Sequence, residues 1–311
     1  MRGRLFGVMS AVLIAASPVA AADLGAPFAP LLRPTLAPAW SLEAGGRYWY
    51  SAGRNAYDYF ADGAGTTRIS RLDYDGLDAH SGEAFFRLDN AGGLFLKGYV
   101  GGGLPRGGTL YDEDFPPLFT PYSKTDSEAS GKLLYASVDV GFTLWDGRAT
   151  GSLPLRFGAF AGYHYRHETI DAYGCRQIGG GNVCSATVLP TSVMVITEDD
   201  TWHTLRLGGV VDVWFTPAVK LTAEAAYGRV WQSAVDTHYF TFGADPADGS
   251  GDAFQTEAVL SWQVTSLLNV GVGGRWWHQQ TEATDAFGQL LKYKTDRYGV
   301  FAQASVTLGG P

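Results

Sequence analysis

Two short stretches of this chain set acid and base groups two residues apart. The first reads Arg106-Gly107-Gly108-Thr109-Leu110-Tyr111-Asp112-Glu113-Asp114-Phe115, and the second Asp236-Thr237-His238-Tyr239. In extended chain, residues i and i+2 point the same way about 6–7 Å apart. Asp112 with Asp114, and Asp236 with His238, would then each make one polar face. If the two faces met across a gap, they could hold a water between them. A neutral imidazole would accept that water's proton while the neighbouring carboxylate fixes its tautomer. Taken singly, each stretch also reads as a solvated acidic loop, so the chemistry depends on a fold that opposes them.

Other motifs fail on their spacing. His167-Glu168 begins like a zinc-binding helix motif, but position 171 is Asp and the segment ends a strand. Gly101-Gly102-Gly103 lacks the Lys and Ser/Thr of a phosphate loop and fits a strand kink instead. No Gly-x-Ser-x-Gly elbow occurs. Cys175 and Cys184 flank Gly179-Gly180-Gly181. In an oxidising compartment they should form a disulfide worth ~2–3 kcal/mol, whereas a metal would need further ligands close by, so no metal is expected.

Composition limits the elements that could position these groups. Charged residues make up 17% of the 311, aromatics 14%, and 41 residues are Gly. An apolar content of 46% is ample for burial and excludes disorder. The net charge of -8, with no basic stripe, argues against nucleic acid as a partner. Beyond the first two dozen residues no apolar run nears the roughly 18 residues of a spanning helix. At the N-terminus, Arg2 and Arg4 precede an apolar stretch from Leu5 to Ala16, followed by Val19-Ala20-Ala21-Ala22. This is the pattern of a signal peptide over residues 1–22, and it implies export through the periplasm. Residues 23–38, with Pro27, Pro30, Pro34 and Pro38, form a stiff Pro-rich segment.

From residue 39 to 311 the hydropathy period is two. Leu134, Ala136, Val138, Val140, Phe142 and Leu144 oppose Tyr135, Ser137, Asp139 and Thr143, and similar runs recur to give ten strands. The opposite face carries Arg71, Asp73, Glu83, Arg87, Lys97, Asp139, Arg156, Arg206, Asp212, Lys220, Glu224 and Glu257. A sandwich core cannot bury so many charges, but a barrel lumen can. Short connections near 90–93, 146–154, 215–218 and 265–266 alternate with long polar stretches at 53–68, 104–131, 168–200, 233–252 and 279–295. Short turns on one side and long loops on the other are the pattern of outer-membrane barrels. The expectation is an all-β fold: a ten-stranded antiparallel transmembrane β-barrel with five long extracellular loops, in the outer membrane of a Gram-negative bacterium. Strands well over the ten residues needed to cross lipid should project outward, and Tyr48, Tyr50, Phe142, Tyr163, Tyr165, Tyr227 and Trp276 should form girdles.

These residues carry a resemblance. The run Arg106-Gly107-Gly108 with Asp112-x-Asp114-Phe115 is similar to a motif of the omptin family of outer-membrane aspartyl-type endopeptidases, and Asp236-x-His238-Tyr239 resembles a second. Leu72-Asp73-Tyr74 and Ala161-Gly162-Tyr163 also fit. The resemblance implies a ten-stranded barrel whose catalytic Asp112 and Asp114 face the dyad of Asp236 and His238 at the outer mouth. It implies a peptide or protein substrate at the cell surface, outer-membrane lipid as the surroundings, and lipopolysaccharide as an activator. Two specificity acids of the family fall on Ala234 and roughly on Ser51, which weakens the case for arginine as the preferred residue. At the family's basic lipopolysaccharide position stands His167, with Arg166 turned the other way. Two other functions fit the same pattern: a non-catalytic binding or structural barrel, and a small porin.

Overall fold

The alternation of period two appears as strands that pair with their neighbours from end to end. In the computed structural model residues 40–118, 120–181, 183–184, 188–241, 243–285 and 288–309 are described; the expected signal peptide 1–22 and Pro-rich segment 23–38 lie outside them. The strands are β1 (Trp40–Phe60), β2 (Arg68–Asp75), β3 (Asp78–Asn90), β4 (Leu94–Arg106), β5 (Gly108–Asp114) and β6 (Ser123–Asp146). They continue as β7 (Leu155–Gly180), β8 (Leu189–Thr216), β9 (Val219–His238), β10 (Gly243–Gln263), β11 (Leu268–Asp285) and β12 (Leu290–Gly309). β2 and β3 are two parts of one stave, interrupted at Gly76 and Leu77, and β4 and β5 are two parts of another, interrupted at Gly107. Counted this way, ten antiparallel staves form a ring that closes through β1 against β12. Closure leaves no unpaired edge, which lipid could not satisfy.

The outer surface divides by height. Leu134, Val138, Val140 and Phe142 on β6, Leu205 and Leu207 on β8, and Val300 on β12 are exposed and apolar. Tyr48, Tyr163, Tyr227, Trp276 and Tyr298 line the upper edge of this band. Several of their polar tips are held from above: Tyr163 by His203, Tyr227 by Asp252 and Trp276 by Asp296. Phe142 marks the lower edge, and Tyr165 is half-buried against His203. Higher still, the outward positions turn polar, with Glu128, Ser130 and Lys132 on β6 and Lys292, Lys294 and Asp296 on β12. The barrel therefore projects beyond the apolar band.

The lumen is filled in layers. At its base Arg156 pairs with Asp212 at 2.7 Å, and Arg47 pairs with Glu83 at 3.0 Å and Glu257 at 2.9 Å. Above them Trp49, Tyr135, Trp277 and Phe301, all buried, close the bore around Arg275, which lies 5.1 Å from the Trp49 ring and 4.5 Å from Tyr99. Next comes a polar layer in which Arg166 and Arg297 both bind Glu168. The projecting part holds its own core of Tyr57, Tyr59, Leu72, Tyr74, Leu110, Ile170 and Tyr293.

Two glycines alter the phase of the alternation. On β4 odd residues such as Phe95 face inward, while Leu104 is 49% exposed; on β5 the even residue Leu110 is fully buried. Gly107, at φ 76°, takes the left-handed conformation that only glycine adopts without cost, and the chain gains one residue there. Gly76, at φ 69°, does the same beside it between β2 and β3. As a result Arg71 and Asp73, expected in the lumen, lie outside, where Arg54 Nε donates to Asp73 at 2.9 Å. The long polar stretches also differ from expectation in form. Most of their length is paired strand, and only 61–67, 115–122, 181–188, 239–242 and 286–289 lie between strands at this end. Polar residues on both faces read as loop in sequence, yet above the membrane both faces of a barrel wall can be polar.

Candidate active site

The phase change at Gly107 points Asp112 and Asp114 inward at the top of β5. From the stave four places around the ring, β9 brings Asp236 and His238 to the same height. Tyr227 marks the girdle on that strand, and Asp236 lies nine residues further on, about 30 Å along an extended chain. The site therefore stands clear of the membrane.

The dyad is formed. His238 Nε2 lies 3.0 Å from Asp236 Oδ2, and Tyr59 donates its hydroxyl to the same oxygen at 2.8 Å. The dyad's Asp236 is 2% exposed. Burial pushes the His238 imidazole down, but the hydrogen bond and charge of Asp236, with Asp112 and Asp114 opposite, outweigh it and raise its pKa above the ordinary histidine value. On the facing wall, burial and the charge of Asp114 push Asp112 up to about 7, against the opposing pull of His238. Burial likewise raises Asp114 to about 6, again opposed by His238. Staves that share no hydrogen bond thus place their acids within electrostatic reach of one imidazole. Among the described residues no group of three or more His, Cys, Asp or Glu is arranged to hold a metal ion.

Other residues stand apart from the dyad or beside it without a charge to offer. Ser51 is buried and accepts from Arg297 Nη1 at 3.2 Å in the polar layer below. Glu83 belongs to the base of the lumen, and Asp75 is exposed. Ala234 is buried and paired with Asp200 across β8 and β9. Both Asp200 oxygens are taken, by Tyr57 at 2.7 Å and Gln232 at 2.7 Å. Cys175, in the upper part of β7, and Cys184, in the connection beyond it, form a disulfide with Cα atoms 5.6 Å apart. His167 faces outward, its Nδ1 3.0 Å from Thr201 Oγ1, while Arg166 is buried against Glu168.

Sequence reasoning missed Glu198 and Asp245. In the registers of β8 and β10 they stand on either side of Asp236, and both are buried. The run Thr197-Glu198-Asp199-Asp200 is polar on both faces and so does not show as strand in sequence, although in the structure it continues the unbroken alternation of β8 upward from Arg206 and Thr204.

The chain is similar in fold to the outer membrane protease OmpT from Escherichia coli, with a TM-score of 0.68 over 86% of this chain and 97% of that one, at 15% identity. That likeness shows an outer-membrane barrel fold. The transport unit of the autotransporter AIDA-I from Escherichia coli also aligns, over 91% of this chain and 93% of its own, at 12% identity and a TM-score of 0.31. The P. putida toluene transporter TodX aligns over 88% and 90%, at 8% identity and a TM-score of 0.24. No protein-family model and no curated protein matches the chain.

Proposed function

We propose that this protein is a surface-exposed outer-membrane endopeptidase that hydrolyses peptide bonds with a water activated by His238. The reading rests on one observation: the acid pair Asp112 and Asp114 on one wall faces an imidazole on the other whose Nε2 is already tied to the Asp236 carboxylate. With Nε2 turned to Asp236, the proton would be taken through Nδ1. Water oxygen attacks the scissile carbonyl carbon as its proton passes to His238, and Asp236 steadies the imidazolium. Asp112 and Asp114 hold the water from the facing wall. The imidazolium then gives its proton to the departing amine as the C–N bond breaks.

Peptide-library cleavage by refolded protein, with and without lipopolysaccharide, tests the activity and the lipid requirement together. Cleavage that disappears in His238→Ala supports the reading. Refolded barrel that cleaves nothing under either condition leaves the non-catalytic binding barrel in front. The plug of Trp49, Tyr135, Trp277 and Phe301, each 4% exposed or less, speaks against a porin. Planar-bilayer recordings should accordingly show no steady conductance.

A further inference from the structure

Among the described residues of the projecting core, the Tyr74 hydroxyl, Asp236 Oδ1 and both oxygens of Glu198 are buried without a hydrogen-bond partner. They belong to three different strands, and each is aimed into the same cluster of acids and tyrosines. Buried polar groups are paired in the great majority of cases, so three orphaned groups together call for a common explanation.

Glu198 sits directly across the β8–β9 ladder from Asp236, on the same face, and has no exposed surface. Directly opposed residues of an antiparallel pair have Cβ atoms about 4.5–5.5 Å apart, close enough for their carboxyls to meet or to share a water. We propose that Glu198 is a positioning residue for the dyad: a neutral carboxylic acid whose O–H is donated to Asp236 Oδ1, directly or across one water. This inference rests on the dyad reading of Asp236 and His238.

The surroundings leave Glu198 no other role for its charge. On its own strand it has Asp199 and Asp200, the latter held by Tyr57 and Gln232. On β9 it faces Asp236 and His238, and Asp245 follows on β10. Across β7 its partner is Ile170, and Glu168 further down already engages Arg166 and Arg297. Tyr59, Tyr74, Tyr293 and Asp112 complete the enclosure from β1, β2, β12 and β5. No lysine or arginine in this circle is left to neutralise Glu198. Burial first, and then the charges of Asp236, Asp200 and Asp245, hold its carboxyl well above the usual range. A neutral carboxylic acid is a donor, and Asp236, directly across the ladder, offers it an oxygen without a hydrogen-bond partner. Tyr74, whose hydroxyl faces the same acids, then donates to the carbonyl oxygen of Glu198. All three orphaned groups are satisfied at once. Asp236 receives three donors — Tyr59, His238 and Glu198 — that keep it ionised and fix its orientation toward the imidazole.

Histidine-labelled protein, refolded in detergent micelles, tests this through the NMR titration of His238, assigned by its loss in His238→Asn. Glu198→Gln keeps a neutral donor and should leave the titration midpoint unmoved. Glu198→Ala removes the donor, concentrates charge on Asp236, and should raise the midpoint by roughly half a pH unit. If Glu198 were ionised, Glu198→Gln would remove a negative charge and the midpoint would fall, overturning the proposal. An unchanged midpoint in a folded Glu198→Ala barrel would overturn it as well, and should that variant not fold, the glutamine variant alone decides. None of these readings needs a peptide to be cleaved, so failure of the protease reading would be seen separately, as a wild-type barrel without activity.

Discussion

Gly107 decides which way Asp112 points. Below it on β4 the even-numbered residues face lipid; above it on β5 they face the interior, and Asp112 and Asp114 are even-numbered. The left-handed backbone at Gly107 supplies the extra residue, and a Cβ there would meet nothing within 4 Å. The cost of Gly107→Ala is therefore conformational alone, about 1 kcal/mol. That variant should fold, lose about that much stability in urea unfolding, and keep its activity. Deleting Gly107 should instead restore the β4 phase and turn both acids outward. The deletion variant should still form a heat-modifiable barrel but cleave as poorly as an Asp112→Asn, Asp114→Asn double variant. Wild-type cleavage by the deletion variant would show that the inward acids are not needed.

The pH dependence of cleavage should follow His238. Its pKa is raised, so the imidazole loses its proton only above the ordinary histidine range, and a base must be neutral to act. Asp112, held up at about 7, also ionises late. Activity should consequently fall as pH drops through about 7, an acid limb higher than an unperturbed histidine would give. His238→Ala should lower the rate by about 10²–10⁴ at the optimum while leaving the barrel folded. An acid limb at pH 5 would mean that the enclosed acids do not act on the working base.

The barrel was legible because membrane and lumen impose opposite chemistry on alternate residues, as in Leu134 to Leu144 on β6. The same logic ran out where lipid ends. Above the girdle both faces of β7 and β8 are polar or mixed, so alternation no longer separates strand from loop, and 168–200 reads as a loop although most of it is paired. Asp112, Asp114, Asp236 and His238 could be named from their spacing. Their opposition could not be derived from spacing, because it depends on ring closure and on the slip at Gly107. Arg71 and Asp73 were misplaced for the same reason, one stave away at Gly76. Glu198 carried no local signal at all, since its importance lies in which residue the β8–β9 register sets beside it.

Topology can be read by labelling. Gly63 lies in the connection between β1 and β2 with open space around it, and Gly92 lies in the turn between β3 and β4 at the opposite end. With the native cysteines paired, Gly63→Cys should react with a membrane-impermeant maleimide in intact cells. Gly92→Cys should react only after the outer membrane is permeabilised. The reverse pattern would invert the barrel. The same preparations should yield the linked Cys175–Cys184 peptide in a non-reduced digest.

If cleavage is found, its profile should not be dominated by dibasic sites. Ala234 offers no charge beside the dyad, and neighbouring Asp200 has both oxygens occupied by Tyr57 and Gln232. An arginine docked there would lack a carboxylate partner, a loss of roughly 2–5 kcal/mol for a buried contact. A peptide library dominated by Arg-Arg or Lys-Arg would show that Asp200 exchanges its partners for substrate.

Removing one acid from the mouth should stabilise the barrel while disabling it. Asp112 titrates at about 7 in the folded protein, and an unfolded aspartate at about 3.9. The folded state therefore holds this proton more tightly between those values. Stability from this group is greatest near pH 4, declines as pH rises through 7, and stays low above, because ionisation then places a second negative charge beside Asp114. The neutral amide of Asp112→Asn would carry no such penalty. Wild type and Asp112→Asn should show equal urea midpoints near pH 4 and diverge with rising pH. At pH 8 the variant should be more stable by about 1–2 kcal/mol, once the partial exposure of the carboxyl is allowed for. Cleavage should drop in the same variant, since an amide cannot offer the negative charge that holds the water. Equal stability at pH 8 would mean that Asp112 titrates like an ordinary aspartate. The mouth would then be more open to solvent than its burial indicates, and the raised acid limb expected for His238 would lose one of its two causes.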